Sequence, residues 1–464
     1  MIPNVLAQRY ASAEMVDLWS AEHKIVLERQ LWLAVLRAQR ELGVAVPDGV
    51  VEAYEAVIGK VDLESIDARE RVTKHDVKAR IEEFSALAGH EHIHKGMTSR
   101  DLTENVEQLQ VRSALELVRD RTVAALARLA GRAVEFRDTV MVGRSHNVPA
   151  QATTLGKRFA SAAEELLLAY ERLEAVLATY PLRGLKGPVG TQQDQLDLLG
   201  DPDSVRQLEA AVAAHLGFTR VLGSVGQIYP RSLDLDVVAA LVQVAAAPSS
   251  LCTTIRLMAG LDLATEGFQA GQVGSSAMPH KVNSRSSERV NGLAVVLRGH
   301  LGMVAELAGD QWNEGDVSCS VVRRVALPDA FFAAEGLLLT FLSVVDGFTL
   351  KPDAVEAEVR RQLPFLATTK VLLTLVQAGV GREQAHELIR THSMASAGDG
   401  DELLRRLAGD PAVPLDRAAL DDALTDRAAL IGNAPSQVDD VVARIGSVVA
   451  RHPIAAAYNP GEIL

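Results

Sequence analysis

Residues 102–142 read LTENVEQLQVRSALELVRDRTVAALARLAGRAVEFRDTVMV, and this stretch decides the fold class of the 464-residue chain. It has no proline, and Gly131 is its single glycine, so little in it opposes a helix. A mostly apolar stripe recurs in steps of three or four over about seven turns, which predicts one long helix. Thr98–Asp101 supplies the N-cap candidates. The stripe consists of Leu115, Val118, Thr122, Ala125, Leu129, Ala133, Phe136 and Val140.

Other long stretches carry the same helical signal, and strand signals are sparse. Helices are predicted over 151–180, Ser232–Gly260 and 284–308, with shorter ones after a Gly/Pro pause near residue 350. Helices of this length need partners along their whole apolar faces, which favours a long bundle that includes other subunits. We therefore predict an all-α chain divided into 1–108, 109–350 and 351–464.

Composition and charge exclude several classes of function. With 47 Lys and Arg against 60 Asp and Glu, the net charge is −13, which disfavours nucleic acid and anionic membranes as partners. A small anion in a locally basic pocket remains compatible with this charge. The two cysteines, Cys252 and Cys319, favour a reducing cytoplasm, and we expect no signal peptide. The uncharged run Val237–Ile255 is predicted to be a buried helix enclosed on all sides, because its alanines, serines and threonines give weak hydropathy.

Four polar segments interrupt the helical pattern: 73–78, 90–101, 143–151 and 271–283. In the fourth, Gly271, Gly274 and Pro279 predict a loop before a helix. Hydroxyls, a lysine and an asparagine at close spacing there are compatible with an anion site at a helix N-terminus or with a solvated linker.

The loop GSSAMPHKVN at residues 274–283 resembles the signature loop of the fumarase/aspartase superfamily. The resemblance extends over nearly the whole chain, through segments around Arg9, His75, His146, Gln227 and Trp312. It implies three helical domains, with the middle domain giving five long helices to a homotetrameric twenty-helix core. It also implies active sites that are each built from three subunits.

The resemblance further implies a reaction. A fumarate-forming β-elimination is expected, with adenylosuccinate giving AMP and SAICAR giving AICAR, and no cofactor is needed because the elimination is not a redox step. Ser275 is expected to be the base and His146 the acid, which meets the need for two separated groups. Lys281 and Asn283 are expected to hold the fumaryl carboxylates, and Glu288 to support the catalytic histidine of another subunit.

By the same matching, His94 joins the catalytic set, and the remaining polar residues are expected to bind the substrate. With Asn283, the predicted substrate-binding residues number ten: Arg9, Tyr10, His75, Asp76, Thr98, Ser99, Gln227, Asn283, Ser320 and Arg324. Three departures stand out: Ser145 and Asn147 flank the histidine where the family more often has threonine and glycine, and Gly315 replaces an arginine common in relatives. A phosphate or ribose contact is then either missing or supplied elsewhere, with Arg323 and Arg285 as the candidates.

Three other functions compete with this one. His90, His92 and His94 would share a face on a strand and form a zinc hydrolase site, although no metal is expected. A sister lyase of the superfamily would act on argininosuccinate, aspartate, malate, a carboxymuconate or another succinyl conjugate. A helical scaffold would keep the fold without catalysis, but it would have no need for the polar loop.

Overall fold

The structure is a computed structural model that describes residues 3–267, 277–278 and 280–461. Most of the described chain is helical, as predicted. The N-terminal part consists of short helices around one longer one. These are α1 (Val5–Arg9), α2 (Ala13–Leu18), α3 (Ala21–Glu41), α4 (Val50–Glu55), α5 (Leu63–Thr73) and α6 (Asp76–Ala88).

Five long helices form the central bundle. The longest, α7, has 37 residues and measures about 55 Å. It packs on α8 and α13, while α11 packs on α8, α12 and α13. The elements of this part are α7 (Ser99–Glu135), β1 (Val140–Ser145), β2 (Val148–Thr154), α8 (Leu155–Thr179), α9 (Gln193–Leu199), α10 (Pro202–His215), α11 (Ser232–Gly260), β3 (Ala264–Thr265), α12 (Arg285–Leu307) and α13 (Cys319–Gly347).

The C-terminal helices have a smaller apolar core of their own, with Leu375, Leu403 and Leu420 at its centre. Helix α20 instead returns to pack on α7 and α8. Helix α7 runs without a break through residue 108, and the predicted three-domain division stays a prediction. The elements are β4 (Thr349–Leu350), α14 (Pro352–Leu366), α15 (Thr368–Gln377), α16 (Arg382–Ala395), α17 (Gly400–Ala408), α18 (Arg417–Thr425), α19 (Arg427–Leu430), α20 (Ala434–Arg451) and α21 (Pro453–Ala456).

The predicted long helix is wrong at its C-terminal end, where the structure has a β-hairpin. The stripe is buried from Leu115 to Ala133, but α7 ends at Glu135 and Val140 lies on β1. Strands β1 and β2 pair antiparallel, so 151–154 is also strand and α8 starts four residues later than predicted. The backbone of Gly156 fixes this junction, because a Cβ there would lie 2.4 Å from the carbonyl oxygen of Ala133. The prediction of an all-α chain is therefore right for the bulk of the fold and wrong at this hairpin and at the short β3–β4 pair.

Three described helices, α11, α12 and α13, are long and apolar enough to span a membrane by length and composition alone. In α13, 83% of the most apolar window is buried within the chain, against 56% in α11 and 39% in α12. The prediction that Val237–Ile255 is enclosed on all sides is wrong for a single chain, because Gln243, Ser250 and Thr253 are exposed. Parts of the apolar helices α11 and α12 thus stay exposed in a single chain.

Candidate active site

A cavity of about 350 Å³ lies where the first turns of α3, α6, α7 and α13 meet. Backbone N–H groups and the positive ends of helix dipoles favour anions at such positions. Seven of the ten residues predicted to bind substrate line it, although they come from distant parts of the sequence. The lining consists of Lys24, His75, Asp76, Val77, Thr98, Ser99, Arg100, Thr103, Glu107, Gln227, Ser320 and Arg324.

The helix starts hold their polar residues in place through caps. His75 is the N-cap of α6, and its Nδ1 accepts a hydrogen bond of 3.3 Å from the backbone N–H of Lys78. Thr98 is the N-cap of α7, and its backbone N–H donates to Oδ2 of Asp101 at 2.8 Å. Ser99 Oγ lies 3.4 Å from Nε2 of His75, so the two helix starts meet at the cavity.

Asp101, which the sequence analysis named only as an N-cap candidate, anchors the start of α7 behind the cavity. Its Oδ1 accepts hydrogen bonds from Nη1 of Arg183 at 2.6 Å and from the backbone N–H groups of Lys186 and Gly187 at 2.8 and 3.0 Å. The Asp101 and Arg183 side chains are both fully buried. A carboxylate with so many donors holds the start of α7 rigidly against the 183–187 loop.

One wall of the cavity is backed by a buried ionic network. Glu107 pairs with Lys24 at 3.3 Å and with Arg323, whose Nε also bonds to Asp234 at 2.7 Å. Although burial opposes ionisation, the charges of Arg323 and Lys24 lower the pKa of Glu107 to about 2. Arg323 is only 3% exposed and also contacts the Tyr229 hydroxyl, so its guanidinium is engaged in the wall rather than in the cavity.

Gly315 lies against Gln227 at the edge of a neighbouring cavity of about 510 Å³. A Cβ at position 315 would lie 2.9 Å from Cβ of Gln227, closer than real side chains approach. The backbone N–H of Gln227 donates to the carbonyl oxygen of Glu314 at 2.7 Å. The Trp312–Asp316 loop therefore packs backbone to backbone on a predicted substrate-binding residue, and glycine at 315 permits that contact.

His94 lies outside the lining of the cavity, close enough to His75 and Lys78 for their charges to act on it. Its Nδ1 accepts a 3.0 Å hydrogen bond from Nε1 of the buried Trp32, which places the proton of the neutral ring on Nε2. Burial, reinforced by those two positive charges and opposed by Asp101, lowers the pKa of His94 to about 4. The ring is therefore neutral near pH 7.

His146 lies at the exposed tip of the β1–β2 hairpin. The two-residue loop has φ values of 52° at His146 and 62° at Asn147, the left-handed pair that a type I′ turn requires. Asparagine tolerates this conformation, which explains how Asn147 stands where relatives have glycine. Arg144, close to the turn, pairs with Glu358 of α14 and ties this end of the hairpin to that helix. A separate cavity of about 490 Å³ lies between the hairpin and α8. Its lining includes Arg144, Ser145 and Gln151 of the hairpin and Lys157 and Arg158 of α8.

A third group of predicted residues surrounds the start of α12. Glu266 caps this helix by accepting hydrogen bonds from the backbone N–H groups of Ser286 and Ser287, both at 2.8 Å. Glu288 is 56% exposed and pairs loosely with Arg256 at 3.7 Å. Exposed Lys281 and half-buried Asn283 precede the helix.

Arg9 and Tyr10 lie at the end of α1, near this third group. The Tyr10 ring is 5.6 Å from the guanidinium carbon of Arg289. Gly336 on α13 leaves room for Tyr10, because a Cβ there would lie 2.7 Å from the Tyr10 Cβ. Sequence reasoning missed Glu266 and Arg289, since neither stands in a polar segment.

Apart from His94, which lies behind the cavity against Trp32, the described predicted residues are found in three places in one chain: the cavity, the hairpin tip and the surroundings of the start of α12. Ser275, the predicted base, lies outside the described residues. The described chain has no cluster of three or more His, Cys, Asp or Glu side chains that would hold a metal. In particular, His94 turns inward to Trp32 while His92 Nδ1 lies 3.0 Å from Nζ of Lys95, so the three histidines do not converge.

The sequence matches two protein-family profiles, described as "Lyase" over residues 11–299 and "Adenylosuccinate lyase C-terminus" over residues 364–441. The solved structure of a fumarate lyase from Mesorhizobium sp. BNC1 superposes with a TM-score of 0.81 at 23% identity, covering 94% of this chain and 98% of that one. A 3-carboxy-cis,cis-muconate lactonizing enzyme from Pseudomonas putida superposes with a TM-score of 0.83 at 20% identity, covering 96% of this chain and 99% of that one. The chain therefore has the fold of the fumarate lyases.

Comparison with other protein sequences identifies one family among the proteins that share this fold. The chain is 35% identical to adenylosuccinate lyase of Saccharomyces cerevisiae over 94% of its own length and 93% of the yeast protein. It is 34% identical to adenylosuccinate lyase of Schistosoma mansoni over 85% and 84% of the two chains. The chain belongs to the adenylosuccinate lyase family, whose members are carbon–nitrogen lyases.

Proposed function

We propose that this protein cleaves adenylosuccinate into AMP and fumarate, and SAICAR into AICAR and fumarate. One observation carries the proposal: seven residues that the family resemblance assigns to substrate binding line a single cavity at four helix starts. Three cations in its lining, Lys24, Arg100 and Arg324, outnumber the two carboxylates, Asp76 and Glu107. The hydroxyls of Thr98, Ser99 and Ser320 add hydrogen-bond donors. Such a lining suits a substrate with a phosphate and two carboxylates.

The elimination moves two protons and breaks one carbon–nitrogen bond. The base, Ser275 in this proposal, takes a proton from the CH₂ carbon beside a carboxylate. The electron pair of that C–H bond forms the fumarate double bond as the neighbouring carbon releases the nitrogen, and the acid, His146, protonates the nitrogen. Lys281 and Asn283 stabilise the charge that accumulates on the carboxylate, and Glu288 orients the histidine of another subunit. The elimination is balanced in atoms and electrons without a redox cofactor.

The same proposal includes a homotetramer in which three subunits build each active site. Two observations support it: the predicted catalytic residues lie apart in one chain, and α12 leaves an apolar face open. On that face Val295 is 61% exposed and Val296 39%, while Gly292, Gly299 and Gly302 have open space around them. Glycines one to two turns before and after exposed valines suit close packing against helices of another copy. A cytoplasmic location is also part of the proposal, supported by two free, buried cysteines.

The decisive experiment supplies purified protein with adenylosuccinate, SAICAR and argininosuccinate separately and measures fumarate. Fumarate from the first two is the expected result, and its absence from both would disprove the proposed substrates. Fumarate from argininosuccinate alone would favour the sister lyase. Ser275→Ala and His146→Gln are each expected to lower kcat at least about 100-fold.

Assembly is tested independently of turnover. We expect a mass four times the 49.7 kDa of one chain by analytical ultracentrifugation. Val295→Asp should dissociate it, whereas Val72→Asp, at a position 83% exposed on α5, should not. Mixing inactive His75→Gln and His146→Gln chains should restore part of the activity, because mixed tetramers contain some sites with neither substitution. A monomeric active enzyme would contradict the shared site.

A further inference from the structure

Lys24 lines the cavity but belongs to none of the polar segments that the sequence singled out. It lies on the first turn of α3, and its side chain is 29% exposed. Its Nζ has one carboxylate within 4 Å among the described residues, Glu107 at 3.3 Å. Lys24 is therefore accessible from the cavity and held in place by one partner.

Glu107 neutralises the positive charge of Lys24 only in part. Oε2 of Glu107 is bound by Nη1 of the buried Arg323, and Lys24 contacts Oε1. The connected network has four cations, Lys24, Arg100, Arg231 and Arg323, against three carboxylates, Glu104, Glu107 and Asp234, which leaves one positive charge uncompensated beside the cavity. Two other acidic groups lie nearby, Asp76 in the lining and Glu28 one turn after Lys24 on α3, and both pair with Arg80, at 2.9 and 2.8 Å.

Arg324 is the second under-compensated cation on the same cavity. No carboxylate lies within 4 Å of its guanidinium among the residues that the structure describes, and Ser320 lies one turn earlier on α13. A dianion between Lys24 and Arg324 would also meet the N-terminal end of that helix. Two cations, a hydroxyl and a helix start match the needs of a phosphate monoester better than those of a single carboxylate.

We propose that Lys24 is a further ligand of the nucleotide's phosphate, beside Arg324 and Ser320, which the family resemblance already assigns to the nucleotide and its phosphate. This inference rests on the proposed nucleotide substrate. It also explains how the phosphate is held with glycine at 315 and with Arg323 engaged in the wall. Glu107 and Arg323 act as positioning residues, because they fix the ammonium group without facing the ligand.

The test measures AMP and inorganic phosphate binding by calorimetry, and turnover of adenylosuccinate and its dephosphorylated form, succinyladenosine. Lys24→Gln should weaken AMP binding and lower kcat/KM for adenylosuccinate about 10- to 100-fold, the range expected for one charge-assisted contact. It should leave kcat/KM for succinyladenosine within about threefold. Lys24→Arg should restore most of the loss, and Lys60→Gln, at an exposed lysine outside the cavity, should change nothing.

Unchanged AMP affinity in Lys24→Gln, or equal losses on the two substrates, would overturn the assignment. Melting temperature and assembled mass show whether a variant has lost its fold. If Lys24→Gln has lost its fold, Lys24→Arg decides instead, through the ratio of its kcat/KM for adenylosuccinate to its kcat/KM for succinyladenosine. If the wild-type chain releases no fumarate from adenylosuccinate, the proposed function fails. The AMP and phosphate titrations then still decide whether Lys24 is an anion ligand.

Discussion

The indole N–H of Trp32 donates a 3.0 Å hydrogen bond to Nδ1 of His94, although the two residues are 62 positions apart in sequence. The rings meet at 80° with their centroids 5.9 Å apart. A helix of the N-terminal part thereby selects the tautomer of a predicted catalytic histidine, with its proton on Nε2 facing away from the indole.

Removing this donor should impair turnover. Trp32→Phe keeps an aromatic ring but loses the N–H, so both tautomers of His94 become populated. We expect kcat to fall about three- to tenfold, the worth of one neutral hydrogen bond. Trp19→Phe is the matched control, because Nε1 of Trp19 has no hydrogen-bond partner among the described residues. Equal effects of the two substitutions would show that lost packing, and not the tautomer, matters.

The low pKa of His94 predicts acid sensitivity. Its pKa is about 4 in the folded chain, against about 6.5 when unfolded, so the unfolded chain binds more protons between these values. Stability is therefore fully present above pH 6.5 and is lost as the pH falls towards 4. We expect His94 to account for about 2 kcal/mol of the loss between pH 8 and pH 5.

The measurement is denaturant unfolding at both pH values and fixed protein concentration, for the wild type and for His94→Gln. The variant lacks this titration, so its loss on acidification should be smaller by that amount. Other histidines, such as His215 and His300, also have pKa values lowered by burial, but they titrate in both proteins and cancel. Identical pH dependence in the two proteins would contradict the prediction.

Asp101→Asn should destabilise the chain strongly. The substitution leaves Arg183 buried beside a neutral amide, and breaking a buried pair typically costs about 3–5 kcal/mol. The free energy of unfolding in urea is the measurement. Asp120→Asn removes a surface pair with Arg119 and should cost about 1 kcal/mol or less. A loss for Asp101→Asn no larger than this control would mean that the pair is not essential to the fold.

Gly315→Ala should lower kcat/KM about tenfold or more. Its Cβ must displace Gln227 or the Trp312–Asp316 loop, and shifts of this size at a binding site are costly. For the same reason, Gly315→Arg should not improve nucleotide binding. Gly59→Ala serves as control, because nothing lies within 4 Å of a Cβ at position 59. Normal kinetics in Gly315→Ala would show that the loop adapts freely.

The sequence alone predicted the helical class and the approximate extent of α7, because a period of three to four residues survives in the chain whatever it packs against. Through a family resemblance it also supplied seven of the twelve residues that line the cavity, and it flagged Gly315. It missed the β1–β2 hairpin, since Val140 continues the helical spacing. Pairing with Thr154 and the close approach of Gly156 to Ala133 override that spacing.

Only the tertiary structure decided which polar residues act together. Lys24 and Glu107 lie on different helices, 83 residues apart in sequence, and no local pattern joins them. The same holds for Asp101 with Arg183 and for Trp32 with His94. Local periodicity determines helices because their backbone hydrogen bonds join residues only four positions apart in sequence. The charge balance, tautomers and pKa values of the polar side chains depend instead on contacts that form when distant helix ends meet.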